Sequence, residues 1–156
     1  IGLTKHLREA LAALPAGSVV FNHLAMVTPH ADRGAWVATL RTLAARPQTY
    51  LQLSGLPFLF GDAWRSADAL SVLDTAYDVL GPRRLVFASD WPMLTRFARY
   101  GEWVGCVDAL LARRGASADD TAAVFGGNAR AALPRLVSRM LSNPRPRPQS
   151  ATEERR

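Results

Sequence analysis

The stretch LVFASDWP, Leu85 to Pro92, runs four largely apolar, strand-forming residues straight into Ser89, Asp90, Trp91 and Pro92. Aliphatic and aromatic residues favour a strand, and Asp followed by X-Pro favours a turn, so the chain stops being buried at Asp90. Two readings of that carboxylate are open. Asp before a turn commonly closes an Asx turn, but in a parallel α/β protein a polar group just past a strand stands where ligands bind. The segments on either side decide which architecture surrounds it.

Upstream, Gly81 and Pro82 stop a helix expected from about Ser66 to Leu80, with Leu70, Leu73, Tyr77 and Leu80 facing inward. Before it, TYLQLSG (residues 49–55) reads as a strand, and Gly55 and Pro57 are expected to open a long loop. Earlier still, SVVFNH (residues 18–23) is a short strand ending in a polar pair, followed by a loop with Pro29 and Asp32. A helix from about Ala35 to Ala45 then carries Trp36, Leu40 and Leu43 on one side. At the start of the chain, Leu3, Leu7, Leu11 and Leu14 recur at helical spacing until Pro15 and Gly17 close the segment. Downstream of Asp90 a helix is expected near Trp103 to Arg113. A shorter one follows, capped by Ser117 with Asp119 and Asp120 in its first turn, and Asn128 is expected to cap a last helix through Leu136.

The three strands start near Val19, Tyr50 and Leu85, each separation being the length of one strand, loop and helix. The expected fold class is therefore α/β, built from repeated βα units. Such units belong either to an open doubly wound sheet or to a segment of a (β/α)8 barrel, which in full takes about 250 residues. A nucleotide-binding open sheet lacks support: no strand leads into G-x-G-x-x-G, no G-x-x-x-x-G-K-[ST] occurs, and Gly126 and Gly127 follow no strand.

The chain has 156 residues, 49% of them hydrophobic, enough for one domain with a core. Its formal charge of +6 raises the question of a nucleic-acid or membrane partner. The distribution answers it: residues 1–129 hold 12 Lys and Arg against 11 Asp and Glu, whereas residues 130–156 hold seven Arg against two Glu. The basicity belongs to a Pro- and Arg-rich tail, expected to be disordered over 137–156, so neither nucleic acid nor a membrane is predicted as partner. No apolar run reaches the roughly 20 residues of a bilayer span. The single Cys106 excludes an internal disulfide framework, and a cytoplasmic location is expected.

The three strands end in Asn22-His23, Ser54-Gly55 and Ser89-Asp90. A His and an Asp delivered from separate strands to one rim could share a divalent metal, or could orient and deprotonate a water between them. Alternatively His23 is a hydrogen-bonded residue at a strand end and Asp90 makes an Asx turn. Among other candidates, Arg96 and Arg99 follow the Asp90 loop and could grip a carboxylate, and His30 lies in the loop after the first strand. Trp91, beside Asp90, has a better claim to a substrate than Trp36, Trp64 or Trp103, which read as core. His6 reads as a surface residue of the first helix and Cys106 as a packing residue.

Taken in order, VVFNHLAMVTP (19–29), YLQLSGL (50–56), LGPRRLVFASDWP (80–92) and VFGGNARAAL (124–133) resemble the C-terminal portion of the amidohydrolase-related family. That family includes fuconolactonase-like and dicarboxylate lactone hydrolases of the TIM-barrel fold. The resemblance covers about residues 1 to 134 and implies that the three strands are the sixth, seventh and eighth of a barrel, within a segment over 1–136. By that implication His23 is a metal ligand or a polariser of the substrate carbonyl, and Asp90 takes a proton from the attacking water or joins His23 on a divalent metal such as zinc. The family also contains metal-independent members. Ser54, Trp91, His30 and Arg96 would contact the substrate, expected to be a lactone or similar ester of a small carboxylated compound. A non-oxidative decarboxylase on the same barrel, or a non-catalytic barrel fragment, is the alternative. The family's first-strand His-x-His pair and fifth-strand histidine would lie upstream of Ile1. A partial barrel is therefore expected, completed by an N-terminal half from upstream or from a partner chain.

Overall fold

A computed structural model describes residues 2–134 and 138 of the chain. Helix α1 (Gly2–Ala13) leads into β1 (Val19–Phe21), a one-turn element α2 (His23–Met26) and helix α3 (Arg33–Ala44). Strand β2 (Thr49–Leu53) is followed by α4 (Leu56–Phe60), a 3-10 turn (Gly61–Arg65) and α5 (Ala67–Leu80). A second 3-10 turn (Pro82–Arg84) feeds β3 (Leu85–Phe87), after which come a 3-10 turn (Met93–Arg96), α6 (Tyr100–Arg113) and α7 (Ala118–Ala122). A π-type turn (Ala123–Gly127) then runs into α8 (Asn128–Ala132).

The strands form one parallel sheet in the order β1-β2-β3, with Phe21 beside Leu51 and Leu51 beside Leu85. The two-residue period of β2 sends Thr49, Leu51 and Leu53 to one face, where they are fully buried, and Tyr50 and Gln52 to the other, where they are half-exposed. Leu51, Leu53 and Leu85 join the core that α3, α5 and α6 close with Leu40, Leu43, Leu73, Trp103 and Val107. On the opposite face Val20 pairs with Tyr50 and Gln52 with Val86, none of which belongs to that core. Parallel sheets are ordinarily covered on both faces. Among the described residues helices cover one face, and the outer edges of β1 and β3 have no strand partner.

The long helices start where local chemistry provides a cap. Asp32 accepts from the Ala35 N–H at 3.0 Å, Ser66 from Ala69 at 3.2 Å and Ser117 from Asp120 at 3.1 Å. At the start of α6 the Glu102 carboxylate accepts from the Arg99 N–H at 2.7 Å. Helix α5 ends at Gly81, where φ of +70° is free of the Cβ penalty. Trp36, Trp64 and Trp103 are buried, in line with their reading as core. No helix among the described residues is long and apolar enough to cross a membrane.

Two segments depart from expectation. The loop expected after Gly55 is helical, because Pro57 sits in the first turn of α4, where its missing N–H costs nothing, and Leu56, Phe60 and Trp64 recur every four residues on the core. Asn128 does not cap the last helix. It lies inside the helical run, 6% exposed, and its amide donates to the carbonyls of Pro82 at 2.8 Å and Leu85 at 2.7 Å. The carbonyls of Pro82, in the turn before β3, and of Leu85, its buried first residue, outcompete a helix end for that amide. Leu136 and, Ser138 apart, the basic tail lie outside the described residues.

Candidate active site

Immediately after β1 the backbone enters the left-handed region for four consecutive residues, with φ of 50° at His23, 51° at Leu24, 54° at Ala25 and 59° at Met26. None is glycine, and each such residue costs about 1–2 kcal/mol, so α2 exists because its surroundings hold it. Leu24 is fully buried. The Ala25 N–H donates to the Asn22 carbonyl at 3.0 Å, and the indole N–H of Trp36, reaching over from α3, donates to the Leu24 carbonyl at 2.9 Å.

This turn lays His23 across the end of β2. Its Nδ1 is 3.0 Å from Ser54 Oγ. Gly55 has φ of +75°, and a Cβ there would stand 2.8 Å from the His23 Cβ. The imidazole is thus seated on bare backbone, and Gly55 meets both a conformational and a steric demand. From the third strand end comes Asp90, itself left-handed at φ 59°, a conformation Asp tolerates better than most residues. Its loop is pinned by the Trp103 indole, which donates to the Ala88 carbonyl at 3.0 Å, and by the Leu94 N–H, which donates to the Asp90 carbonyl at 3.0 Å.

His23 Nε2 faces Asp90 Oδ1 across 4.0 Å. That is too far for a hydrogen bond, but an oxygen atom placed beside the pair could lie about 2.8 Å from both. The His23 and Asp90 side chains keep 31% and 23% of their exposure, so water reaches them. Ser54 is fully buried. Ser54, His23 and Asp90 therefore form a row that is closed to solvent at Ser54 and open to it at Asp90, with the Ser54 hydroxyl set to orient the ring. The direction of the Ser54 bond and the tautomer of the ring go together. If the hydroxyl donates to Nδ1, Nε2 carries a proton toward Asp90; if it accepts from Nδ1, Nε2 presents its lone pair.

Trp91 stands beside Asp90 and is 69% exposed. His30 and Arg96 are exposed on the loops that follow β1 and β3, with no hydrogen bond to the His23–Asp90 pair. Arg99 precedes α6 as its N-cap. His6 lies on the surface of α1, 3.5 Å from Glu9. Cys106 is half-buried in α6, and burial pushes its thiol above the ordinary value, which disfavours the reactive thiolate. Two parts of the site carried no signal as such in the sequence. Gly55 reads there as a loop opener, and nothing local ties the Trp36 indole to a carbonyl in the preceding loop.

Among the described residues no three His, Cys, Asp or Glu side chains come together so as to hold a metal ion. Donors bound tetrahedrally to zinc at about 2.1 Å lie about 3.4 Å apart, whereas His23 Nε2 and Asp90 Oδ1 are 4.0 Å apart. The described residues thus offer two donors, set too wide, and do not by themselves make a metal centre.

The amidohydrolase family matches this chain over residues 5–135. The chain belongs to that family. This amidohydrolase is 39% identical to an L-fucono-1,5-lactonase of Burkholderia multivorans, over 60% of its own length and 33% of the relative's. It is 33% identical to an L-fucono-1,5-lactonase of Burkholderia ambifaria, over 80% and 45%. An amidohydrolase from B. multivorans, crystallised with bound zinc, matches its fold with a TM-score of 0.72 at 31% identity, over 83% of this chain and 48% of that one. A probable 2-pyrone-4,6-dicarboxylic acid hydrolase from Acinetobacter baumannii shares the fold with a TM-score of 0.65 at 16% identity, over 84% and 48%. The amidohydrolase chain spans less than half the length of these relatives.

Proposed function

We propose that this amidohydrolase takes part in opening the ring of a lactone of a small, sugar-derived or carboxylated compound. The observation that carries the reading is the meeting of His23 and Asp90 at the carboxyl rim of a parallel sheet, 4.0 Å apart and open to solvent. Kinship with two L-fucono-1,5-lactonases supplies the class of bond. Asp90 accepts a proton from a water held beside it as the water oxygen attacks the lactone carbonyl. His23, with Ser54 donating to Nδ1, presents its Nε2–H to the oxyanion that develops. The ring C–O bond then breaks, and the proton returns to the departing ring oxygen, leaving a hydroxy acid. Trp91, exposed beside Asp90, would supply an aromatic wall for the ring, and Arg96 and His30, exposed on the loops after β3 and β1, would meet a carboxylate on it.

The half-exposed sheet face of Val20, Tyr50 and Gln52, the unpaired edges and the greater length of the relatives support a working form in which further βα units complete the barrel. Those units come from the same polypeptide or from a partner chain. A zinc ion, bound in the B. multivorans amidohydrolase, would need donors beyond the described residues. Metal analysis of the purified protein reads its presence.

Ring opening of L-fucono-1,5-lactone and of carboxylated lactones releases acid and is followed in a pH-stat. The complete protein carrying this chain is expected to turn over at least one such lactone, with Asp90→Asn slower by about 100-fold or more, as for loss of a general base. The reading is overturned if no lactone is opened, or if the Asn variant turns over at the parent rate.

A further inference from the structure

We propose that Trp36, a core residue of α3, is a positioning residue for His23, its indole N–H fixing the strained turn from which the imidazole projects. The inference rests on the role proposed above for His23. Four successive non-glycine residues hold left-handed backbone at 23–26, a conformation that relaxes unless something outside it opposes relaxation. The bond from the Trp36 indole to the Leu24 carbonyl, 2.9 Å long and buried, is the opposing contact. Without that N–H the carbonyl has no water within reach. It either stays unpaired, at the cost of a buried polar group, or turns outward and takes the backbone with it.

The neighbouring residue cannot ignore such a movement. His23 sits against Gly55, where not even a methyl group fits, and its Nδ1 meets Ser54 Oγ at 3.0 Å. A small rotation of the Leu24 peptide therefore shifts the ring against Ser54 and changes the 4.0 Å gap to Asp90. The element that carries the donor is firm: Asp32 caps α3, and Leu40 and Leu43 below Trp36 are fully buried. Trp36 itself is 7% exposed, so it acts through His23 and does not touch substrate.

The test removes the N–H and keeps the shape. In the complete protein Trp36 is replaced by β-(3-benzothienyl)alanine, whose sulfur stands where the N–H was, and separately by Trp36→Phe. Imidazole nitrogen shifts are followed by NMR with 15N-labelled histidine, the His23 signal being assigned as the one lost in His23→Gln. In the benzothienyl protein the His23 signals are expected to move, and kcat to fall about 10- to 100-fold with KM nearly unchanged, the scale for a misplaced reacting group. Trp36→Phe is expected to move the same signals in the same direction. A benzothienyl protein that melts lower but keeps both the parent His23 signals and the parent kcat would make Trp36 merely structural and overturn the inference. The NMR reading needs no substrate. If the parent protein opens no lactone while the His23 signals still move, the functional reading fails and the positioning of His23 by Trp36 stands.

Discussion

The two ends of the three-stranded sheet employ polar side chains in opposite ways. At the amino ends of the strands, three polar heads satisfy main chain. Arg46 donates to the carbonyls of Pro15 and Gly17, both at 3.0 Å, Arg84 to that of Ala44, and Asn128 to those of Pro82 and Leu85. At the carboxyl ends, His23, Ser54 and Asp90 face one another. Five of the six described non-glycine residues with positive φ also lie there, Gln48 being the exception. The carbonyl-binding side chains and the proposed site are thus separated by about the length of a strand. One rim ties carbonyls down with side-chain donors, while the other is held in costly backbone with side chains aimed at each other.

This contrast breaks first at Asp90. Asp90→Asn is expected to lower turnover by about two orders of magnitude or more with little change in melting temperature; a variant that melted far lower at full activity would make the carboxyl rim as structural as the other. Gly55→Ala comes next. A Cβ 2.8 Å from the His23 Cβ, on backbone at φ +75°, must displace the ring. Turnover should fall by about tenfold or more and stability by about 1–3 kcal/mol, read by kinetics and urea unfolding on one sample. At the other rim, Asn128→Ala takes the side-chain donor from the buried Leu85 carbonyl, whereas the Pro82 carbonyl keeps the Leu85 N–H. It is expected to cost about 1–3 kcal/mol in urea unfolding while leaving kcat per folded molecule unchanged. A change in kcat would show that the rims are coupled through β3.

The smallest effect is electrostatic, with one carboxylate near each rim. The Arg99 backbone N–H, aided by Arg65, holds Glu102 below its ordinary 4.5, and the Ser117 hydroxyl, aided by Arg83, holds Asp120 below 3.8. Because both folded values are lowered, their stabilisation is present in full above the ordinary values and is lost as pH falls through the lowered ones. Melting curves of Glu102→Gln and Asp120→Asn should therefore lie slightly beneath the parent at neutral pH and converge on it as pH falls through those lowered values. High salt should narrow the gap, since both groups are solvated.

Much of this fold was legible because its signals are local. The strands begin within a residue of where apolar runs meet turn-forming pairs, and Asp32, Ser66 and Ser117 cap the helices they precede. Legibility failed where a residue answers to distant partners. Gly55, Pro57 and Gly61 look like breakers, yet the spacing of Leu56, Phe60 and Trp64 buries that segment as helix. Asn128 has the chemistry of a cap and is claimed by two carbonyls more than 40 residues earlier. The tryptophans at 36, 64 and 103 were recognisable as core, but their indole N–H groups each bond a specific carbonyl, and that choice depends on packing geometry.

By itself, the order of apolar runs and turn residues determined a repeated βα chain and the identity of the polar groups delivered at its three strand ends, because strand period and turn chemistry act over a few residues. Only the tertiary structure decided what those groups do to one another. His23 and Ser54 are 31 residues apart in the chain, and they meet, with Asp90 alongside, because parallel pairing in one register brings the strand ends level. The left-handed turn that aims the imidazole is unfavourable for its own sequence. It persists because its own Leu24 is buried and because a bare glycine after β2 and an indole N–H from α3 leave it no other place to go.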